Sequence, residues 1–141
     1  MRSYARGVDA GYSGTPLWRK LGLKPGSRAR LEQAPAGWGV GPVPHPVEWL
    51  AVPGSADLVL AFCRSEQQFL GCLDRLGEEV FPAGMLWIAW PRKAAGHVSD
   101  LDENTIRDTA LRRGLVDVKV AALDPDWSAL KLVWRKENRV R

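Results

Sequence analysis

The chain has 141 residues, with 20 basic and 16 acidic side chains, a formal charge of +4 and 45% apolar residues. That length suits one domain and is short for most two-domain enzymes, while moderate charge and near-average apolar content exclude a disordered or low-complexity chain. Nothing approaches the ~18 continuous apolar residues of a membrane helix, and residues 1–10 lack the apolar core of a secretory signal, so a cytoplasmic protein with no membrane partner is expected.

The charge is uneven. Residues 1–30 hold seven basic side chains against Asp9, residues 31–90 hold Arg64 and Arg75 against seven acids, and residues 91–141 hold eleven bases against eight acids. The ends are basic and the middle is acidic. Cys63 and Cys72 are too few for a disulfide framework and match no zinc spacing, so both are expected as reduced, mostly buried thiols.

In chain order, residues 1–13 show no periodicity and read as a flexible basic leader. A short helix follows, with Thr15 as N-cap, Pro16 at the first helical position, Leu17 and Leu21 on one face and Gly22 as the stop. Lys24-Pro25-Gly26 is a turn signal, and Arg28 to Gln33 begins a first strand. Residues 34–46 carry four prolines and three glycines, which excludes a long helix or central strand. Val47 to Val52 reads as a short strand near an edge.

Asp57 to Cys63 is a nearly continuous apolar run, the mark of a strand covered on both faces. Ser65 with Gln68 forms a capping box, and Phe69, Leu73, Leu76 and Val80 repeat at helical spacing. Met85 to Trp90 is a second doubly buried strand. Residues 91–100 form a polar loop, Asp100 with Glu103 is read as another capping box, and that helix ends at Gly114. Leu115 to Leu123 and Trp127 to Trp134 alternate like strands about an Asp124-Pro125-Asp126 turn, a hairpin. The order predicts a single three-layer, Rossmann-like α/β domain over 14–136, mostly parallel, with an antiparallel C-terminal hairpin strand and a tail at 137–141.

This order is similar to the second half of a class I S-adenosylmethionine-dependent methyltransferase, whose sheet also ends in a hairpin with one reversed strand. In sequence, the stretches at 13–17 (Ser-Gly-Thr-Pro-Leu), 21–26, 56–60, 86–93, 114–120 and 126–132 resemble an uncharacterised bacterial family, domain of unknown function 3052. The methyltransferase resemblance implies a cofactor site at Gly37, Gly39 and Gly41. The second resemblance implies no activity.

In open α/β sheets ligands sit beyond the carboxyl ends of the strands, and two loops should emerge there. Gly37-Trp38-Gly39-Val40-Gly41 could let a ligand approach the backbone, but Pro35, Pro42, Pro44 and Pro46 remove amide donors and Glu48 is a poor stand-in for a ribose-binding acid, so a plain loop packed by Trp38 is the competing reading. In the second loop Arg92 and Lys93 lie near Ser99 and a helix start at Asp100, a workable phosphate or carboxylate site; the competing reading is solvated cations paired with Asp100 or Asp102. Trp18 beside Arg19 and Lys20 could stack on a nucleobase or dock a partner. His45 and His97 sit at no metal-ligand spacing, and a Cys63 or Ser99 nucleophile has no motif behind it.

Trp87 and Trp90 should face opposite sides of their strand, as should Trp127 and Trp134. The leading expectation is a non-enzymatic module that binds a partner protein or a small anionic ligand through Arg92 and Lys93. The alternatives are a reduced methyltransferase-like domain holding S-adenosylmethionine or a nucleotide at Gly37 to Gly41, and nucleic-acid binding through the leader and Trp18.

Overall fold

A computed structural model describes residues 14–141; the leader expected at 1–13 lies outside the described residues. Among them, six strands form one sheet: β1 (Arg28–Glu32), β2 (Glu48–Trp49), β3 (Leu58–Phe62), β4 (Met85–Pro91), β5 (Leu115–Ala122) and β6 (Trp127–Trp134). Their order is β2-β1-β3-β4-β6-β5. The first four are mutually parallel, and β6 runs antiparallel to both β4 and β5. The protein is thus an α/β, Rossmann-like domain with a reversed strand near one edge. Strand order reverses direction between β1 and β3, so their carboxyl ends flank the crevice where such folds take ligands.

The doubly apolar run of β3 follows from its central place, since all five of its residues are buried. Period-2 alternation sends Val59, Ala61, Leu86, Ile88, Leu130 and Leu132 to one face and Leu58, Leu60, Phe62, Trp87, Ala89 and Ala129 to the other. The first face is covered by α2 (Glu66–Val80) and α3 (Glu103–Arg112), through Phe69, Leu73, Leu76, Ile106 and Ala110. The second has α1 (Leu17–Leu21), of 5 residues, and the irregular segment 34–47, whose Ala34, Trp38, Val40, Val43 and Val47 pack on the core. Trp87 and Trp127 join this second face while Trp90 and Trp134 pack on the first, as the odd spacing implies.

Two helix starts differ from the sequence reading. Pro16, not Thr15, is the N-cap of α1 and makes no side-chain capping bond: its φ of −59° would suit a helix, but its ψ of 147° does not, so the helix begins one residue later at Leu17. Asp102, not Asp100, caps α3: its carboxylate accepts from the Thr105 N–H at 2.9 Å, and its pKa is held down by that backbone bond. Ser65 does cap α2, accepting from the Gln68 N–H, while the Gln68 side chain reaches back to the Arg64 N–H at 2.7 Å. Beyond β6, a short 3-10 turn at Lys136–Asn138 returns to the fold, and the Arg141 guanidinium binds Glu78 at 2.6 Å.

One buried charge network ties β1 to α2. Arg30, 5% exposed, donates two hydrogen bonds to Glu79, 6% exposed, each at 2.8 Å. Arg30 also pairs with Glu32 at 2.7 Å, and Arg75 bridges Glu32 and Glu79 at 2.5 and 3.0 Å. Burial alone would raise Glu32, but hydrogen bonds from Arg75 and Arg30 outweigh it and hold the carboxyl below its ordinary range. Removing one partner leaves the others charged and uncompensated. Arg30→Ala is expected to cost about 3–5 kcal/mol in urea denaturation; a loss under about 1 kcal/mol would show that the network is not buried in solution.

Candidate functional site

The chain leaves β1 through Gln33, whose φ of 56° lies in the left-handed region that few side chains adopt. Across the crevice, Arg64 follows the end of β3 and donates to the Gln33 carbonyl at 3.4 Å, closing the gap between the two carboxyl ends. Segment 34–46 then folds over the second face. Trp38 meets the ring of Phe62 edge-on at 4.9 Å, and its indole N–H donates to the Asp124 carboxylate at 3.0 Å. The other Asp124 oxygen accepts from the Asp126 and Trp127 N–H groups, so one carboxylate shapes the β5–β6 turn and anchors the loop.

Gly37 and Gly41 have φ of 77° and 81°, and a Cβ at Gly37, Gly39 or Gly41 would meet nothing within 4 Å. Backbone turning explains Gly37 and Gly41; a cradle does not. No helix follows them, and Glu32, at the end of β1, is engaged by two arginines. These residues do not fit S-adenosylmethionine: the glycines form no cradle, prolines take the place of amide donors beside them, and the acid at the end of β1 is already paired.

The second expected loop borders a cleft of about 280 Å³ lined by Arg64, Pro91, His97, Val98 and Trp127. Arg64 lies over the Trp127 ring, 5.2 Å from its centroid. Its backbone is held at both ends, the N–H by the Gln68 side chain and the C=O by the Ser99 hydroxyl at 2.9 Å. Among the described residues no carboxylate forms an ion pair with Arg64. His97 Nε2 lies 2.9 Å from Asp126 Oδ1.

The residues singled out in sequence are thereby divided. Ser99 also accepts from the Leu101 N–H, and Asp100 accepts from the Glu66 N–H at 2.8 Å, satisfying the start of α2 from a neighbouring loop. Both are clamps. Arg92 turns toward the hairpin turn, donating to the Asp124 carbonyl at 3.4 Å, and Lys93 is exposed at the start of a 3-10 turn, its charge felt by Asp102. Trp18 stands edge-on to His45 at 5.0 Å with Arg19 over its ring. Sequence reasoning passes over Arg64, although a signal is there: a cation just past a central strand and immediately before a helix cap.

Cys63 and Cys72 are free and buried. The hydrogen bond to Cys72, together with burial, pushes the Cys63 thiol up. Among the described residues, neither histidine is hydrogen-bonded to Cys63 or Ser99, and no group of three or more metal-ligand side chains forms.

No protein-family model matches the chain, so the resemblance to domain of unknown function 3052 gains no support, and no curated protein matches it either. Solved structures do. One is the "Structure of a putative methyltransferase from Thermoplasma acidophilum", 8% identical with TM-score 0.49, aligned over 86% of this chain and 75% of that one. Another is the N-methyltransferase NodS from Bradyrhizobium japonicum WM9 in complex with S-adenosyl-l-homocysteine, 14% identical with TM-score 0.48 over 88% and 90%. At such identities only the path of the chain is compared. Titration with S-adenosylmethionine in a calorimeter is expected to give no saturable heat; micromolar binding would contradict the covered crevice.

Proposed function

We propose that this protein is a non-catalytic α/β module that binds a small carboxylate-bearing ligand with an apolar body in the cleft beyond β3, β4 and β6. The observation that carries the reading is Arg64: a guanidinium with no ion-pair partner among the described residues, stacked on Trp127 and fixed through its backbone by Gln68 and Ser99. A guanidinium presents a planar fork of donors that matches a carboxylate. Because its backbone is anchored before binding, less ordering entropy is lost there. Trp127, Pro91 and the 98% exposed Val98 supply apolar walls for the ligand's body.

Arg64 lines the cleft and Arg92 and Lys93 do not, so the anchor moves from the residues expected in sequence to Arg64. Membrane insertion by a helix plays no part in this reading, since none of the described helices is long and apolar enough to span a bilayer. A small ligand is favoured over a partner protein because the cleft encloses about 280 Å³ and sets its cation over a ring.

Benzoate serves as a probe that combines the two chemistries. Its binding, followed by calorimetry, is expected to weaken at least tenfold in Arg64→Ala, the loss of about 1.4 kcal/mol or more that a charged hydrogen bond supplies. The pair Arg92→Ala/Lys93→Ala should weaken it less than threefold. Equal binding by wild type and Arg64→Ala would remove the reading.

A further inference from the structure

The second face of the hairpin carries a feature that the carboxyl-edge cleft does not use. In β5 the register shifts between Asp117 and Lys119, so that Asp117 lies opposite Leu132 and Lys119 opposite Lys131. Val118 is the extra residue. In a regular ladder Val118 would oppose Lys131 and Lys119 would point to the other face; the bulge turns Lys119 onto the same face as Lys131. Like charges directly opposite one another on a sheet destabilise it. A bulge that creates such a pair works against the fold unless something relieves it.

Further cations surround the pair. Lys131 is in register with Trp87 on β4, and the Lys119 ammonium lies 5.9 Å from the Trp87 ring centroid. Lys119 and the 120–122 backbone share with Thr15, Arg19 and Lys20 a cleft of about 400 Å³ between α1 and the hairpin. Lys20 reaches across it to the Ala122 carbonyl at 3.5 Å. Burial and the charges of Lys119 and Lys24 lower the pKa of Lys131, and burial with Lys119 lowers that of Lys20. Among the described residues, no ion pair involves Lys24, Lys119 or Lys131.

We infer that this cleft binds a compact, multiply charged phosphate group such as a pyrophosphate or triphosphate moiety, with Lys119 and Arg19, which line it, as the principal contacts and Lys131, opposite Lys119 in register, adding its charge from beside the cleft. An anion carrying several charges offsets the repulsion of cations held at strand spacing, which a single carboxylate does only in part. A nucleic-acid strand is less suited, because stacking platforms supply much of the affinity for single strands. The nearby ring, Trp18, is covered by Arg19 and set edge-on to His45.

The test is calorimetry with sodium tripolyphosphate on the full chain, comparing wild type, Lys119→Gln/Lys131→Gln and Arg64→Ala. Glutamine keeps most of each side-chain stem while removing the charge. Saturable binding by wild type, weakened at least tenfold in the glutamine pair and unchanged in Arg64→Ala, is the result expected. Without ligand, the glutamine pair should melt about 1–4 °C higher than wild type, because the repulsion is gone. No saturable heat with wild type, binding by the glutamine pair within twofold of wild type, or tighter binding of a single-stranded oligodeoxynucleotide than of tripolyphosphate would overturn the assignment. The unliganded melting temperature shows whether the glutamine pair folds, so lost binding is not confused with unfolding.

Discussion

A parallel sheet must be covered on both faces, and among the described residues only one face has helices long enough to do it. α2 and α3 bury the first face. The second is left to a helix of 5 residues and the proline-rich segment 34–47. The rest of the molecule is arranged around that constraint, because the segment that covers Phe62 is the one that leaves β1 at the strand-order reversal. Where a fold of this order would hold a ligand over an open glycine loop, this chain lays Trp38 against Phe62 and pins it to Asp124. Such an aromatic pair contributes about 0.5–1.5 kcal/mol beyond the area it buries.

The polar groups around the crevice are engaged within the chain. Glu32 is drawn into the Arg30–Glu79–Arg75 network, and Arg64 spans toward Gln33 while lying over Trp127. The space left at the carboxyl edge is therefore a small cleft beside Trp127, displaced from the reversal point toward β4 and β6. Its cation comes from the β3–α2 connection. The loop after β4 supplies the clamps, Ser99 on the Arg64 carbonyl and Asp100 on the start of α2.

Much of the fold was legible because its signals are local or periodic. The apolar runs of β3 and β4, the Ser65 cap, the α2 repeat and the Asp124 turn each have a cause within a few residues, and the opposed tryptophans follow from strand parity. Of the two misplaced caps, that of α1 fails for a local backbone reason and that of α3 for a tertiary one: Asp100 has the right residue type at the right spacing from Glu103, but α2 claims it from another loop. The two clefts were less legible. Arg64 gains its significance from Trp127, 63 positions away in sequence, and Lys119 faces Lys131 only through a bulge that no residue type announces. The charge count pointed to a basic leader and to Arg92 and Lys93, whereas the structure gathers cations from α1 and both hairpin strands.

The covering role of segment 34–47 is tested most directly by Trp38→Ala in urea denaturation. If Trp38 completes the second face of the core, the variant loses about 2 kcal/mol or more of stability with an unchanged denaturant slope, toward the low end of the range for large aromatic truncations because the ring is partly exposed. A change within about 0.5 kcal/mol, the range of an ordinary surface substitution, would contradict it and leave the crevice at the end of β1 open.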